Sequence, residues 1–177
     1  MVDSLLKSGL AQELVVLVIS VLPVVELRGA LPVAINLFGM PWYEALGLAI
    51  IGNFLPVPFL LLFLESLARW ASKVGIGRRL VEWVFGYTQR RGQIIEKYER
   101  IGLALFVAIP LPMTGAWTGS IAAFLLGLNF KYALISIACG VVIAGVIVTC
   151  LCLLGWVGAV IAGVGLCGLA VAGLWRT

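Results

Sequence analysis

The chain contains no histidine, and only 11% of its 177 residues are charged. Without histidine it has no histidine-containing metal site and no histidine general base. Ordinary soluble domains carry roughly 25% charged residues, so the low charge content excludes that class. The chain is instead 63% hydrophobic, with a mean hydropathy of +1.16. These values predict an integral membrane protein, for which we expect neither a metal centre nor a cofactor.

Two stretches lack charge over a length sufficient to cross the hydrocarbon core, which takes about 20 residues per helix. They are residues 45–64 and residues 132–175, and the second is long enough to cross twice. The size allows one small membrane domain over residues 1–177. In such apolar surroundings cysteine packs as a small hydrophobe. We therefore expect no disulfide among the four cysteines, which are Cys139, Cys150, Cys152 and Cys167.

Basic residues concentrate in one segment. Eight of the twelve lysines and arginines fall between Arg69 and Arg100, interleaved with aromatic and aliphatic residues. Short loops rich in lysine and arginine stay on the cytoplasmic side of a membrane. The mixture of basic and apolar residues is typical of an amphipathic helix at the headgroup level. Residues 69–100 are therefore predicted to be a cytoplasmic amphipathic connector, and we expect no nucleic-acid partner.

The chain contains an internal repeat, as many transporters do. The segment that starts at Pro23 resembles the segment that starts at Pro110. A shift of about two residues separates the first matches from the later ones. The matched pairs are Gly29 with Gly115, Ala30 with Ala116, Gly39 with Gly127, Trp42 with Phe130, Ala45 with Ala133, Leu46 with Leu134, and Gly52 with Gly140.

Each repeat consists of a proline-broken apolar segment followed by a spanning helix. The broken segments are residues 14–38 and 102–126, the second split at Pro110, Pro112 and Gly115. Segments of this kind enter the bilayer and return to the same side, provided that protein or a wet cavity surrounds their backbone. With the connector inside, the first hairpin enters from outside and the second from inside.

The predicted fold is therefore an all-α integral membrane protein built from two inverted repeats. Each repeat is a re-entrant helical hairpin plus a transmembrane helix, over residues 14–68 and 101–154. An additional C-terminal transmembrane helix follows at residues 155–175, which is rich in glycine.

Glu26 and Arg28 lie in the middle of the first broken segment. A charge at membrane depth costs roughly 2.5 to 3.5 kcal/mol, so such residues usually mark a transport pathway. Arginine presents a planar fork of donors suited to phosphate or carboxylate. A glutamate in an apolar setting favours its neutral form and can load and release a proton. Both residues are predicted to bind substrate, and Glu26 to couple substrate movement to protons. The two can act together if the hairpin tip is open, because residues two apart share a face on an extended segment.

The second broken segment offers neutral groups to the same site: Thr114, Gly115, Thr118 and the backbone amides freed around the glycines. Asn53, another polar residue at depth, is assigned to the site as well. Two structural alternatives remain open. Glu26 and Arg28 can simply neutralise each other and pin the two halves together, and Asn53 can satisfy a carbonyl freed by Pro56.

Two motifs resemble the signature segments of the putative small multidrug export protein family: ELRGALP at residues 26–32 and IPLPMTGAWTG at residues 109–119. The resemblance covers residues 14–149. The layout is also similar, more distantly, to the DedA or VTT superfamily. That similarity implies movement of polyprenyl phosphate or phospholipid between leaflets, with Glu26 as the acidic residue of the first hairpin. The superfamily typically places an arginine after the second proline motif, where residues 112–116 of this chain carry no cation.

The leading functional hypothesis is a proton-linked translocase of an anionic lipid carrier or amphiphile, crossing the inner (cytoplasmic) membrane several times. Its partners are membrane lipids, and a homodimer is a further option, because two small halves do not alone shield a charged tip from lipid. A first alternative is efflux of cationic drugs bound by Glu26, which the neighbouring Arg28 opposes. A second is a scaffold that binds partners through the connector. An enzyme is not expected, because no nucleophile and base occur at workable spacing.

Overall fold

The computed structural model describes residues 9–71, 93–111 and 114–155, and within these ranges the chain forms helices and no strand. The all-α prediction is confirmed for this part of the chain. Most of the basic connector, and the predicted C-terminal helix from residue 156 onward, lie outside the described residues. The helices are α1 Gly9–Val21, α2 Glu26–Pro32, α3 Trp42–Phe54, α4 Pro56–Ala71, α5 Gln93–Ala108, α6 Ala116–Leu125 and α7 Phe130–Leu153, with a π-helical turn at Val33–Leu37.

Two of these helical stretches are long and apolar enough to cross a membrane: Trp42–Ser66 and Phe130–Leu153. The first joins α3 to most of α4 through a turn at Leu55. Pro56 follows that turn and has no amide N–H to continue the hydrogen-bond ladder, which explains the interruption. Both stretches overlap the charge-free regions found in the sequence.

Both predicted breaks occur where the prolines place them. Helix α1 ends two residues before Pro23, and α5 ends two residues before Pro110. The residue that precedes a proline is pushed out of the helical region, so a helix normally ends there or earlier. The chain resumes as α2 after the first break and as α6 after the second. The predicted boundary near residue 100 falls inside α5, so Arg100 lies on the helix that leads into the second break.

After the breaks, the two halves enter their long helices in the same way. Gly39 and Gly127 both have φ +66, a left-handed conformation that favours glycine. Three residues later, Trp42 and Phe130 are the first residues of α3 and α7. The sequence matches at these positions therefore correspond to equivalent local structure.

Gly52 and Gly140 are also equivalent in their packing. A Cβ on Gly52 would lie 2.8 Å from the Leu17 carbonyl oxygen of α1, and one on Gly140 would lie 2.7 Å from the Ala104 carbonyl oxygen of α5. Both distances are shorter than a real Cβ tolerates, so glycine permits the close approach in each half. By contrast, Gly29 lies inside α2 whereas Gly115 directly precedes α6. The expected equivalence of Gly29 with Gly115, and of Ala30 with Ala116, is therefore wrong.

The helices pack in a reciprocal pattern. Within each half, the helix before the break lies on the long helix, α1 on α3 and α5 on α7. The short helices cross over: α2 packs on α7, and α6 packs on α4. This packing brings the two breaks close enough for Arg28, just after the first, to bond the Ile109 carbonyl at the second. The orientation of the halves across a bilayer, and the re-entrance of the broken segments, remain predictions.

Many of the buried residues are alanines, and many large apolar residues face outward. Ile51, Phe59 and Ile135 are exposed over 58%, 69% and 58% of their surface. A soluble protein rarely exposes apolar area on this scale. Small residues at helix contacts, which let backbones approach closely, are typical of helices packed in lipid. The buried alanines are Ala30, Ala34, Ala45, Ala49, Ala108, Ala116, Ala123, Ala133 and Ala144.

Candidate functional site

Glu26 begins α2 in an unusual backbone conformation. Its φ is +53, and no other non-glycine residue in the described ranges has a positive φ. A left-handed backbone costs an ordinary L residue roughly 1 to 2 kcal/mol. Glu26 and Arg28 both belong to a helix, so they do not lie on an extended tip. Their side chains meet although two residues apart on a helix, because Glu26 departs from helical geometry.

Glu26 and Arg28 form an ion pair. Arg28 Nη1 donates to Glu26 Oε2 at 3.1 Å. The Glu26 side chain is 4% exposed and that of Arg28 is 17% exposed. The carboxylate is thus enclosed by protein, whereas the Arg28 side chain keeps a small exposed fraction.

The second terminal nitrogen of Arg28 reaches across to the other break. Arg28 Nη2 donates to Thr114 Oγ1 at 3.2 Å, to the Ile109 carbonyl at 3.1 Å and to the Val107 carbonyl at 3.4 Å. These carbonyls lie at the end of α5, where helical carbonyls lose their intrahelical partners. One guanidinium therefore joins the two breaks and caps the end of α5.

The two threonines predicted for the site behave differently. The Thr114 hydroxyl lies 2.7 Å from the Ile109 carbonyl and 2.9 Å from the Leu111 carbonyl, and its single proton serves one of them at a time. Its lone pairs remain available to accept from Arg28. Thr118 donates to the Gly115 carbonyl at 3.2 Å. That bond is the local type common in membrane helices, and the structure does not bring Thr118 to the ion pair.

The first backbone amides of α6 hold the carboxylate from the opposite side. The Trp117 amide donates to Glu26 Oε1 at 3.5 Å, and the Ala116 amide also donates to this carboxylate. Gly115 lies so close that a Cβ there would overlap both carboxylate oxygens. We call this assembly the junction site. It comprises the side chains of Glu26, Arg28 and Thr114, residue Gly115, and the amides of Ala116 and Trp117.

The indole of Trp117 adds a contact that the sequence did not predict. Its Nε1 donates to the Val21 carbonyl at 3.0 Å, at the end of α1. This bond mirrors the action of Arg28 on the end of α5. The prolines were the available signal in the sequence for such contacts. Each proline break leaves backbone carbonyls without helical partners, and these carbonyls need donors from elsewhere in the chain.

Asn53 lies outside the junction site. It is 1% exposed within α3, and its Oδ1 has no hydrogen-bond partner. Neither Glu26 nor Arg28 contacts it among the bonds that the structure gives those two side chains. The structure therefore does not bring Asn53, which was predicted for the substrate site, to the ion pair.

Residues 26–147 match the protein family described as "Putative small multi-drug export protein". The chain belongs to this family. The matched range starts at Glu26 and includes the whole junction site. Membership of the small multi-drug export protein family, together with the two apolar helices, identifies a membrane protein of the export class. No curated protein and no solved structure matches the chain, so the similarity to the DedA superfamily remains a prediction.

Proposed function

We propose that this member of the small multi-drug export protein family is a proton-linked translocase of an anionic lipid carrier, polyprenyl-phosphate-like, or of an anionic amphiphile. It crosses the inner (cytoplasmic) membrane several times, binds substrate at the junction site, and has membrane lipids as its partners. The observation that carries the proposal is the Arg28–Glu26 pair, which lies between the two breaks and contacts both. Thr114 and Gly115 complete the site, and Glu26 carries the proton.

The arrangement of the helices supports the proposed inverted-repeat architecture with re-entrant hairpins. The two halves share the glycine turns at Gly39 and Gly127 and the close glycine contacts at Gly52 and Gly140. Each short helix also packs on a helix of the other half, α2 on α7 and α6 on α4. Transporters built from inverted repeats place their substrate between broken helices, with helix starts pointing at anionic groups.

The electrostatics of the site support an anion as the substrate. An arginine and the start of α6 both present donors, and a helix start favours negative charge. The apolar surroundings strengthen these contacts relative to water. The proposed approach for a headgroup is where the Arg28 side chain keeps its small exposed fraction.

Transport in liposomes tests the proposal. Purified protein should accelerate the movement of a fluorescent isoprenyl phosphate between leaflets, and an imposed proton gradient should change the rate. We expect Arg28→Ala and Glu26→Gln to reduce the rate at least tenfold. Lys131→Ala and Glu44→Gln are matched controls, because both side chains are exposed, and they should retain the wild-type rate. Wild-type rates in both junction variants would exclude the site.

Efflux of cationic drugs is the second candidate, favoured by the description of the family. The junction site opposes it, because the Glu26 carboxylate is already balanced by Arg28 and by two amides. Growth of cells exposed to a lipophilic cation distinguishes the two. Protection that is lost in Glu26→Gln and kept in Arg28→Ala would establish cation efflux in place of anion transport.

A further inference from the structure

The Glu26 carboxylate occupies donors that belong mainly to the opposite half of the chain. Its oxygens accept from Arg28 Nη1 at 3.1 Å, from the Trp117 amide at 3.5 Å and from the Ala116 amide. We call these three groups the oxyanion donors. Carboxylate, sulfate and phosphate oxygens all accept such bonds, so Glu26 is held as a bound substrate anion would be held.

Two features show that the site is built around this carboxylate. Glu26 contacts the donors with a left-handed backbone, which is unfavourable for a residue with a side chain. Residue 115 is glycine, and a Cβ in its place would overlap the carboxylate. The left-handed backbone of Glu26 in one half and the glycine at position 115 in the other therefore both accommodate the same carboxylate.

Arg28 is the charged group that acts on the Glu26 carboxylate. Helix α6 carries no titratable side chain. None of the titratable side chains described on the other surrounding helices is among the hydrogen-bond or ionic partners that the structure gives Glu26. They are Glu13 on α1, Tyr43 and Glu44 on α3, Glu65 on α4, Tyr98, Glu99 and Arg100 on α5, and Lys131, Tyr132, Cys139, Cys150 and Cys152 on α7.

We propose that the Glu26 carboxylate and the substrate's oxyanion exclude each other from the oxyanion donors. When Glu26 takes a proton from water, its neutral acid no longer holds Arg28 and the two amides, and the oxyanion binds there. Each anion then binds together with one proton, so the two move in the same direction. This inference rests on the proposed function and specifies its substrate class, a lipid with an oxyanionic headgroup, and its coupling.

The wild-type protein provides the first test, in nanodiscs of uncharged phosphatidylcholine. Geranyl sulfate is the probe, because its charge does not change with pH and any proton taken up belongs to the protein. Calorimetry in two buffers of different ionisation enthalpy counts the protons. We expect uptake approaching one proton per sulfate, and a Kd that rises with pH by up to tenfold per unit. No uptake between pH 5.5 and 9 would overturn the proposal.

The Glu26→Gln variant provides the second test, because glutamine keeps the shape and lacks the charge. It should bind geranyl sulfate at every pH with the affinity that the wild type shows in acid, and without proton uptake. Glu44→Gln should keep the wild-type pH dependence. A folded Glu26→Gln variant, checked by gel filtration, that loses binding or keeps the pH dependence would overturn the competition.

Further measurements distinguish two outcomes: that the proposed competition is wrong, and that the proposed site is wrong. Arg28→Ala should lose geranyl sulfate binding, and unchanged binding would remove the proposed function itself. Lost binding in Arg28→Ala with wild-type pH dependence in Glu26→Gln would keep the function and reject the competition.

Geraniol should not bind at the site, and its binding with equal affinity would overturn the proposal. A preference for geranyl sulfate over inorganic sulfate supports a lipid headgroup, and equal affinity would reject the lipid as substrate.

Discussion

The two breaks in the chain are built alike but differ in chemistry. Each follows a helix that ends two residues before a proline, and each leads to a short helix that packs on the other half. The first break supplies both charges, Glu26 and Arg28. The second supplies a hydroxyl, a glycine and backbone amides, and the described part of that break carries no charged side chain.

This difference shows that one set of residues determines the repeated helix arrangement and another set determines the chemistry of the site. Prolines and glycines recur in both halves and set the geometry. The two charges of the junction site occur in the first half only. The second half contributes neutral polar groups to the site, a hydroxyl and backbone amides. The carboxylate of Glu26 and its amide donors belong to different halves, so the junction site exists only when the two halves are packed together.

The largest expected effect comes from removing Arg28, the positive charge of the junction site. Arg28→Ala leaves the Glu26 carboxylate without its counter-charge. Breaking a buried pair costs about 3 to 5 kcal/mol, and we expect the lower end because the Arg28 side chain is 17% exposed. Unfolding in mixed detergent micelles measures the loss of free energy. Lys131→Ala should change it by less than about 0.5 kcal/mol.

The double variant Glu26→Gln with Arg28→Ala checks the cause of that loss. It removes the uncompensated charge and should recover more than half of the free energy. A double variant as unstable as Arg28→Ala alone would show that the lost bonds to α5, and not the buried charge, dominate.

A smaller effect tests whether the two halves are equivalent in packing. Gly52→Ala and Gly140→Ala each place a methyl group against a backbone carbonyl, at 2.8 Å and 2.7 Å. Overpacking typically costs about 1 to 3 kcal/mol, and the two losses should agree within about 0.5 kcal/mol. Gly47→Ala and Gly102→Ala are controls, because nothing lies within 4 Å of their added carbon. A large loss in one half alone, in the same unfolding assay, would contradict the equivalence.

The smallest expected effect comes from removing the hydrogen bond that the Trp117 indole of the second half donates to the first half. Trp117→Phe removes the donor to the Val21 carbonyl, which we expect to cost about 1 kcal/mol. Trp42→Phe is the control, since Trp42 is 50% exposed and begins a helix. Thermal unfolding compares the two variants. Equal losses would mean that the bond to Val21 contributes nothing beyond ring size.

Sequence reasoning located the breaks and the long helices because their causes are local. Pro23 and Pro110 act on the residues beside them, and Gly39 and Gly127 occupy turns that demand glycine. The pairing of Glu26 with Arg28 was also accessible, since two charges in an apolar stretch need partners. The match of Gly29 with Gly115 failed because similarity over two letters does not report where a helix begins.

The rest of the site depends on contacts between distant parts of the chain. That the amides of Ala116 and Trp117 hold Glu26, and that Arg28 caps the carbonyls of Val107 and Ile109, follows from how the two halves pack. Backbone groups have no signature in the sequence. The left-handed backbone of Glu26 was likewise hidden, because glutamate is an unusual residue for it. The roles predicted for Thr118 and Asn53 came from polarity alone, which does not fix position.

Because several helix contacts rely on alanine and glycine while many bulky side chains point outward, we expect substitutions to be tolerated best on the outside of this protein. Exchanges among leucine, isoleucine, valine and phenylalanine on the outer faces leave the helix separations unchanged. A single methylene added inside forces two helices apart. We therefore expect related chains to share the spacing of their smallest residues more than the identity of their largest.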